Sequence, residues 1–145
     1  DVAEMTTILN DIIEVGGTTA YETPRNSAYM ADDLVCSHVA LDATGAVCGF
    51  QVVHRKDDAP ATTGFIATFA RRTNPAKGTG RALLKATVNA ARAGGIDVID
   101  AKIRADNTPG LGYYGHMGFR DHSVEKGVPL MDGTPVDRIT KRLKL

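Results

Sequence analysis

The most constraining feature of this sequence is a junction near its middle. A short apolar run, Phe65–Ala70, meets the loop Arg71–Gly80, which contains Lys77-Gly78-Thr79-Gly80-Arg81. The loop leads into a strongly periodic segment in which Leu83, Leu84, Thr87, Val88 and Ala91 share one helical face and Gly94-Gly95 end the pattern. A buried strand, a glycine loop and a helix therefore follow one another without a break. The first turn of a helix leaves backbone N–H groups unpaired and carries partial positive charge, and glycines let a ligand approach the backbone. That combination suits a phosphate or pyrophosphate. Charge agrees, because no Asp or Glu occurs between Asp58 and Asp97, whereas Arg71, Arg72, Lys77, Arg81, Lys85 and Arg92 all fall there. A glycine pair before a helix can also be a plain turn, and a run of cations can be a solvated face. The order Lys77-Gly78-Thr79 is wrong for a P-loop, and a dinucleotide fingerprint would need glycine at Leu83.

Composition bounds the rest. With 145 residues the chain is the size of one domain, 1–145, and long enough for a single core to bury roughly two-thirds of its unfolded surface. Seventeen basic and seventeen acidic residues cancel, so the local cations point to a small anionic ligand and not to nucleic acid. Two cysteines, Cys36 and Cys48, make neither a disulfide framework nor a four-ligand zinc site, and read as reduced cytosolic thiols. No His/Cys cluster suggests a metal, and no apolar run is long enough to span a membrane. The expectation is a cytoplasmic protein with no membrane and no nucleic-acid partner. Because Asp1 already lies in a helical pattern, a leader or a first strand is expected upstream of it.

The remaining pattern supplies the order of elements. Val2, Met5, Leu9, Ile12 and Ile13 give a helix over Asp1–Val15, stopped by Gly16-Gly17. Val39–Asp42 and Val47–His54 flank Ala43-Thr44-Gly45-Ala46 as a hairpin. Ile96–Ile103 is a strand, Asn107–Gly118 a short helix with Pro109 near its start, and Phe119–Glu125 with Val136–Leu143 a final hairpin. This order predicts an α/β (α+β) fold with a mixed sheet.

At this point the sequence resembles the GNAT superfamily of N-acetyltransferases. The family's Gln/Arg-x-x-Gly-x-Gly/Ala is matched by Pro75-Ala76-Lys77-Gly78-Thr79-Gly80, with Pro75 in place of Gln/Arg. Its Asn-x-x-Ala-x-x-x-Tyr-x-x-x-Gly-Phe is matched by Asn107 to Phe119, with Gly110 in place of Ala and Asn107, Tyr114, Gly118 and Phe119 in register. Thr18–Pro24 and Asp132–Arg138 look like the phosphinothricin-type branch. The resemblance implies a mostly antiparallel sheet flanked by helices, with the family's first strand absent from this chain.

It also implies acetyl-CoA as co-substrate and a small-molecule amine, such as an amino acid or analogue, as acceptor. Thr68, Phe69 and Ala70 would offer backbone groups to the pantetheine, Lys77, Gly78, Thr79, Gly80 and Arg81 would hold the pyrophosphate, and Asn107 would bond the cofactor arm. Tyr114 would protonate the departing thiolate. Some members carry a base, Glu, at the start of the family's fourth strand, where this chain has Gly64, so the base is sought elsewhere: Glu22 first, His54 second. Homodimers are common in the family. A GNAT-like module that binds acyl-CoA without catalysis is the alternative.

Overall fold

A computed structural model describes residues 2–17, 19, 21–26, 28, 33–71 and 77–145. Pro75, Arg72 and Thr18, each singled out above, lie outside the described residues. Helix α1 (Val2–Val15) forms because Met5, Ile8, Leu9 and Ile13 recur at helical spacing and bury one stripe. Strands β1 (Leu34–Leu41) and β2 (Val47–His54) make the expected hairpin. Asp42 organises its turn by accepting from the Thr44 and Ala46 N–H groups at 2.8 and 3.1 Å, and Gly45 supplies the φ of +85° that the turn requires. β3 (Thr63–Ala70), α2 (Thr79–Ala93), β4 (Val98–Arg104), α3 (Thr108–His116), β5 (Arg120–Pro129) and β6 (Pro135–Lys144) complete the chain.

The six strands form one sheet in the order β1-β2-β3-β4-β6-β5. Every neighbouring pair is antiparallel except β3 with β4, which is parallel and joined through α2. β1 forms one edge of the sheet and β5 the other. Side chains alternate across a strand, and the two faces are covered by different helices. Phe50, Val52 and Phe69 pack under α1, whereas Val53, Ile66, Ile99, Ala101 and Ile103 pack under α2 and α3 with Leu84, Ala91 and Tyr114. The fold is the mixed α+β arrangement expected of the resemblance. Among the described residues no helix is long and apolar enough to cross a membrane.

Candidate active site

β3 and β4 pair at three positions only, Thr63↔Val98, Gly64↔Ile99 and Phe65↔Asp100. Beyond Phe65 they part, so among the described residues the β4-side edge of residues 66–70 has no strand against it. β2 continues to pair the other edge as far as Ala70. Backbone N–H and C=O groups of a strand point alternately to its two sides, so this edge offers hydrogen bonds to whatever enters the gap. The gap opens into a cavity of about 870 Å³ whose wall includes Thr68, Phe69 and Ala70 of β3, Thr79 and Gly80 of α2, and Asn107, Tyr113 and Tyr114 at α3.

The glycine loop closes one end of this cavity. Gly78 stands at the N-cap of α2 with φ +83°, no side chain caps the helix, and no acid lies in its first turn. The first-turn N–H groups are therefore aimed out of the helix in a setting without negative charge. Thr79 and Gly80 line the cavity, while Lys77, Gly78 and Arg81 are on the exposed side of the loop or of α2. The two glycines do different work. A Cβ on Gly78 would meet nothing within 4 Å, so the residue is there for its backbone angle. A Cβ on Gly80 would lie 2.6 Å from Cε1 of Tyr113, so Gly80 makes room for a ring.

That ring belongs to a buried polar network. The Tyr113 hydroxyl donates to the Gly80 carbonyl at 2.8 Å and accepts from Gln51 Nε2 at 2.8 Å. Gln51 Nε2 also donates to Thr68 Oγ1 at 3.1 Å, and Thr68 Oγ1 lies 2.7 Å from the Tyr114 hydroxyl. Tyr114 is 7% exposed, with its ring edge-on to Tyr113 and Phe119 at 5.0 and 5.1 Å. Burial pushes its phenol well above the usual value, and the Thr68 hydroxyl pulls only part of the way back. Tyr114 is thus held protonated at the wall of the cavity. Burial raises Tyr113 as well, against the hydrogen bond from Gln51.

At the other end the cavity wall is cationic, with Lys56, Lys102, Arg104 and Arg138. Arg104 is paired with Asp106 through two hydrogen bonds of 2.9 and 2.7 Å, and Lys102 with Glu125 at 2.6 Å. Lys56 stands over the Phe65 ring, 4.2 Å from its centroid. In the sheet register Arg138 of β6 stands between Arg104 of β4 and Glu125 of β5. Lys102 and Arg138 together hold the Glu125 carboxyl below its usual range, Lys102 by its hydrogen bond first, so the cations at this end are partly balanced by acids.

Residues 3–119 match the model of the acetyltransferase (GNAT) family. The chain belongs to that family. A search among curated proteins finds no match. Among solved structures, the GNAT fold of this chain is similar to a GNAT superfamily phosphinothricin acetyltransferase from Sinorhizobium meliloti in complex with AcCoA, at 23% identity and TM-score 0.83, covering 100% of this chain and 85% of that one. It is also similar to a ribosomal-protein-alanine N-acetyltransferase from Brucella melitensis, at 21% identity and TM-score 0.85, covering 100% and 94%. An N-acetyltransferase from Staphylococcus aureus Mu50 matches at 19% identity and TM-score 0.85, covering 99% and 92%. The acceptors named for the first two differ, so the shared fold leaves the acceptor open.

In this GNAT chain Asn107 caps α3, its Oδ1 accepting from the Gly110 N–H at 3.0 Å. The glycine at 110, where the family has Ala, has a local reason, since a Cβ there would come within 2.5 Å of Asn107 Nδ2. Gly64 likewise excludes a side chain: its Cβ would sit 2.6 Å from Val53 Cγ1 and 3.3 Å from Ile96 Cγ2, inside the core. Glu22 is not in the cavity wall; both its carboxylate oxygens lie 3.0 Å from the Met131 N–H, which ties the segment after α1 to the β5–β6 turn. His54, by contrast, lines the cavity. Gln51 had not been singled out in the sequence, and Arg138 only as the last residue of the stretch Asp132–Arg138. The available signal for Gln51 was a single amide inside the apolar run Val47–Val53; for Arg138 it was its place in the stretch Asp132–Arg138.

Proposed function

We propose that this GNAT enzyme transfers the acetyl group of acetyl-CoA to the amine of a small molecule bearing a carboxylate, an amino acid or an analogue. The observation that carries the acceptor class is the group of cations in one part of the cavity wall, Lys56, Lys102, Arg104 and Arg138, of which Arg138 stands opposite Arg104. The unpaired edge of β3 supports the co-substrate, with Thr68, Phe69 and Ala70 on the pantetheine arm and Asn107 beside it. Lys77, Gly78, Thr79, Gly80 and Arg81 take the pyrophosphate. Acetyl-CoA supplies an activated acetyl thioester. A backbone N–H of β3 stabilises negative charge on the carbonyl oxygen. Tyr114, buried and protonated, gives its proton to the departing sulfur.

An aliphatic amine with a pKa of about 10.4 must lose a proton before it attacks. Glu22 is the carboxylate proposed for that task. A second reading, favoured by its place in the cavity wall, gives the task to His54. Replacing each by its neutral analogue, Glu22→Gln and His54→Asn, separates them: loss of the acidic limb of kcat/KM identifies the base. The reading also takes the enzyme to be a cytoplasmic homodimer; the two free thiols, Cys36 and Cys48, support the compartment, and sedimentation tests the dimer.

A panel of amines with acetyl-CoA, followed by release of free thiol, tests the proposal as a whole. Turnover should favour amines with a carboxylate, and Arg138→Met should raise KM for these about tenfold or more while changing decarboxylated analogues little. Binding of acetyl-CoA with no turnover on any amine would instead identify a non-catalytic module.

A further inference from the structure

Gln51 is fully buried at the centre of β2. A carboxamide in such a place is costly unless its hydrogen bonds are met, yet Oε1 accepts none among the described residues. Nε2 donates twice, to Thr68 Oγ1 and to the Tyr113 hydroxyl. Turning the amide over would leave two N–H donors unmet in place of one acceptor. It would also set the amide oxygen against the Gly80 carbonyl for the proton of Tyr113. The network therefore selects the orientation with nitrogen toward the hydroxyls.

That orientation fixes which neighbouring oxygens receive a proton from Gln51. An amide N–H only donates, so Thr68 Oγ1 and the Tyr113 oxygen both receive. Tyr113 passes its proton to the Gly80 carbonyl, which only accepts. Beside Gln51, the half-buried Thr68 hydroxyl has one other side-chain partner among the described residues, the Tyr114 hydroxyl. With Thr68 as the donor of this pair, its proton goes to the Tyr114 oxygen, 2.7 Å away, and the Tyr114 proton is left for the cavity.

We propose that Gln51 is a positioning residue for acetyl transfer: by donating to Thr68 it makes Thr68 a donor to Tyr114, and so reserves the Tyr114 proton for the departing sulfur. The inference rests on Tyr114 as the acid. In the step it serves, the bond from amine nitrogen to acetyl carbon forms and the carbon–sulfur bond breaks. The electron pair of that bond leaves on sulfur, which takes the Tyr114 proton. The Thr68 O–H stabilises the phenolate left behind, and the proton removed from the amine replaces the one given up.

The test uses the whole chain with free coenzyme A, whose bound thiol is titrated through the ultraviolet absorbance of its thiolate, beside steady-state kinetics. A proton donor at sulfur favours the thiolate, so losing the donor moves the titration upward. Tyr114→Phe should raise the midpoint by about one pH unit and lower kcat about 100-fold or more. Gln51→Glu keeps the shape but accepts the Thr68 proton, which reverses the chain. It should reproduce both effects and add little to them in the Tyr114→Phe background. Gln51→Met breaks the link without burying a charge, covers the case in which the carboxylate prevents folding, and should move the midpoint in the same direction with KM for acetyl-CoA within about threefold. A wild-type midpoint and kcat in both Gln51 variants, or losses that add fully to those of Tyr114→Phe, would overturn the role of Gln51 and leave Tyr114 in place. A wild-type midpoint and kcat in Tyr114→Phe would overturn the acid assignment, and the inference with it.

Discussion

Thr63 and Gly64 pair with β4, Ile66–Ala70 pair with β2, and Phe65 pairs with both. The first part of β3 is thus packed into the core, with Gly64 so close to Val53 and Ile96 that no side chain fits. The second part keeps one backbone edge open to the cavity and places the Thr68 hydroxyl against Tyr114. One strand of eight residues therefore serves two ends, and the handover at Phe65 separates them. Before it, what matters is shape. After it, what matters is which atoms donate and which accept.

The largest effect should come from the open part. Tyr114→Phe keeps the ring and removes the proton, so kcat should fall roughly 10²–10⁴-fold with little change in acetyl-CoA affinity or melting temperature. Tyr113→Phe should cost less in kcat and more in stability, about 1–3 kcal/mol, since Gly80 loses its donor and Gln51 an acceptor. Wild-type kcat in Tyr114→Phe, with chemistry rate-limiting, would erase the distinction. In the closed part, Gly64→Val forces atoms into Val53 and should lower stability by about 1–3 kcal/mol, read as a shift in the denaturant midpoint. Acetyl-CoA affinity of the folded protein should stay close to wild type; a collapse of affinity at unchanged stability would show that the two parts are not separate.

A smaller effect is expected at Gly78. A β-branched residue there has space but the wrong backbone angle, so Gly78→Val should cost about 1–2 kcal/mol and weaken acetyl-CoA binding measured by calorimetry. Unchanged affinity would make the loop a turn only. The most gradual effect concerns pH. The unfolded chain releases a tyrosine proton near pH 10 while folded Tyr114 retains its own, because burial raises it. Unfolding therefore releases a proton above pH 10, and the stability contributed by Tyr114 is complete below that pH. It falls by about 1.4 kcal/mol per pH unit above it, until the folded phenol itself titrates. The slope should be shallower by one proton in Tyr114→Phe, measured as the difference between the two proteins.

Local patterns in the sequence account for the features that depend on neighbours along the chain. The glycine loop and the face of α2 are set within a few residues, and both were legible; the Asn107 cap is equally local, but Asn107 was read there only for the cofactor arm. β1 begins at Leu34 and not at the expected Val39: Ser37 and His38 interrupt its apolar content, and pairing with β2 carries the strand through them. β5 continues to Pro129, past the expected Glu125, because its register shifts twice and the alternation that marks a strand is broken there. Gln51 was hidden for a different reason: its partners lie 17 and 62 positions away. The contact between Glu22 and Met131 spans 109 positions, and no spacing rule reaches that far.

Gly80 and Tyr113 carry one further consequence. The missing Cβ of one and the ring of the other occupy a single volume, 33 positions apart in sequence. Bulk at the two sites is therefore a shared allowance. Gly80→Ala alone should be poorly accommodated, whereas the same methyl beside a smaller residue at 113 should be tolerated, at the loss of the hydroxyl that joins α3 to α2. Exchange of this kind would show up among diverging descendants of the chain as paired replacements, a bulkier residue at 80 arriving only with a slimmer one at 113.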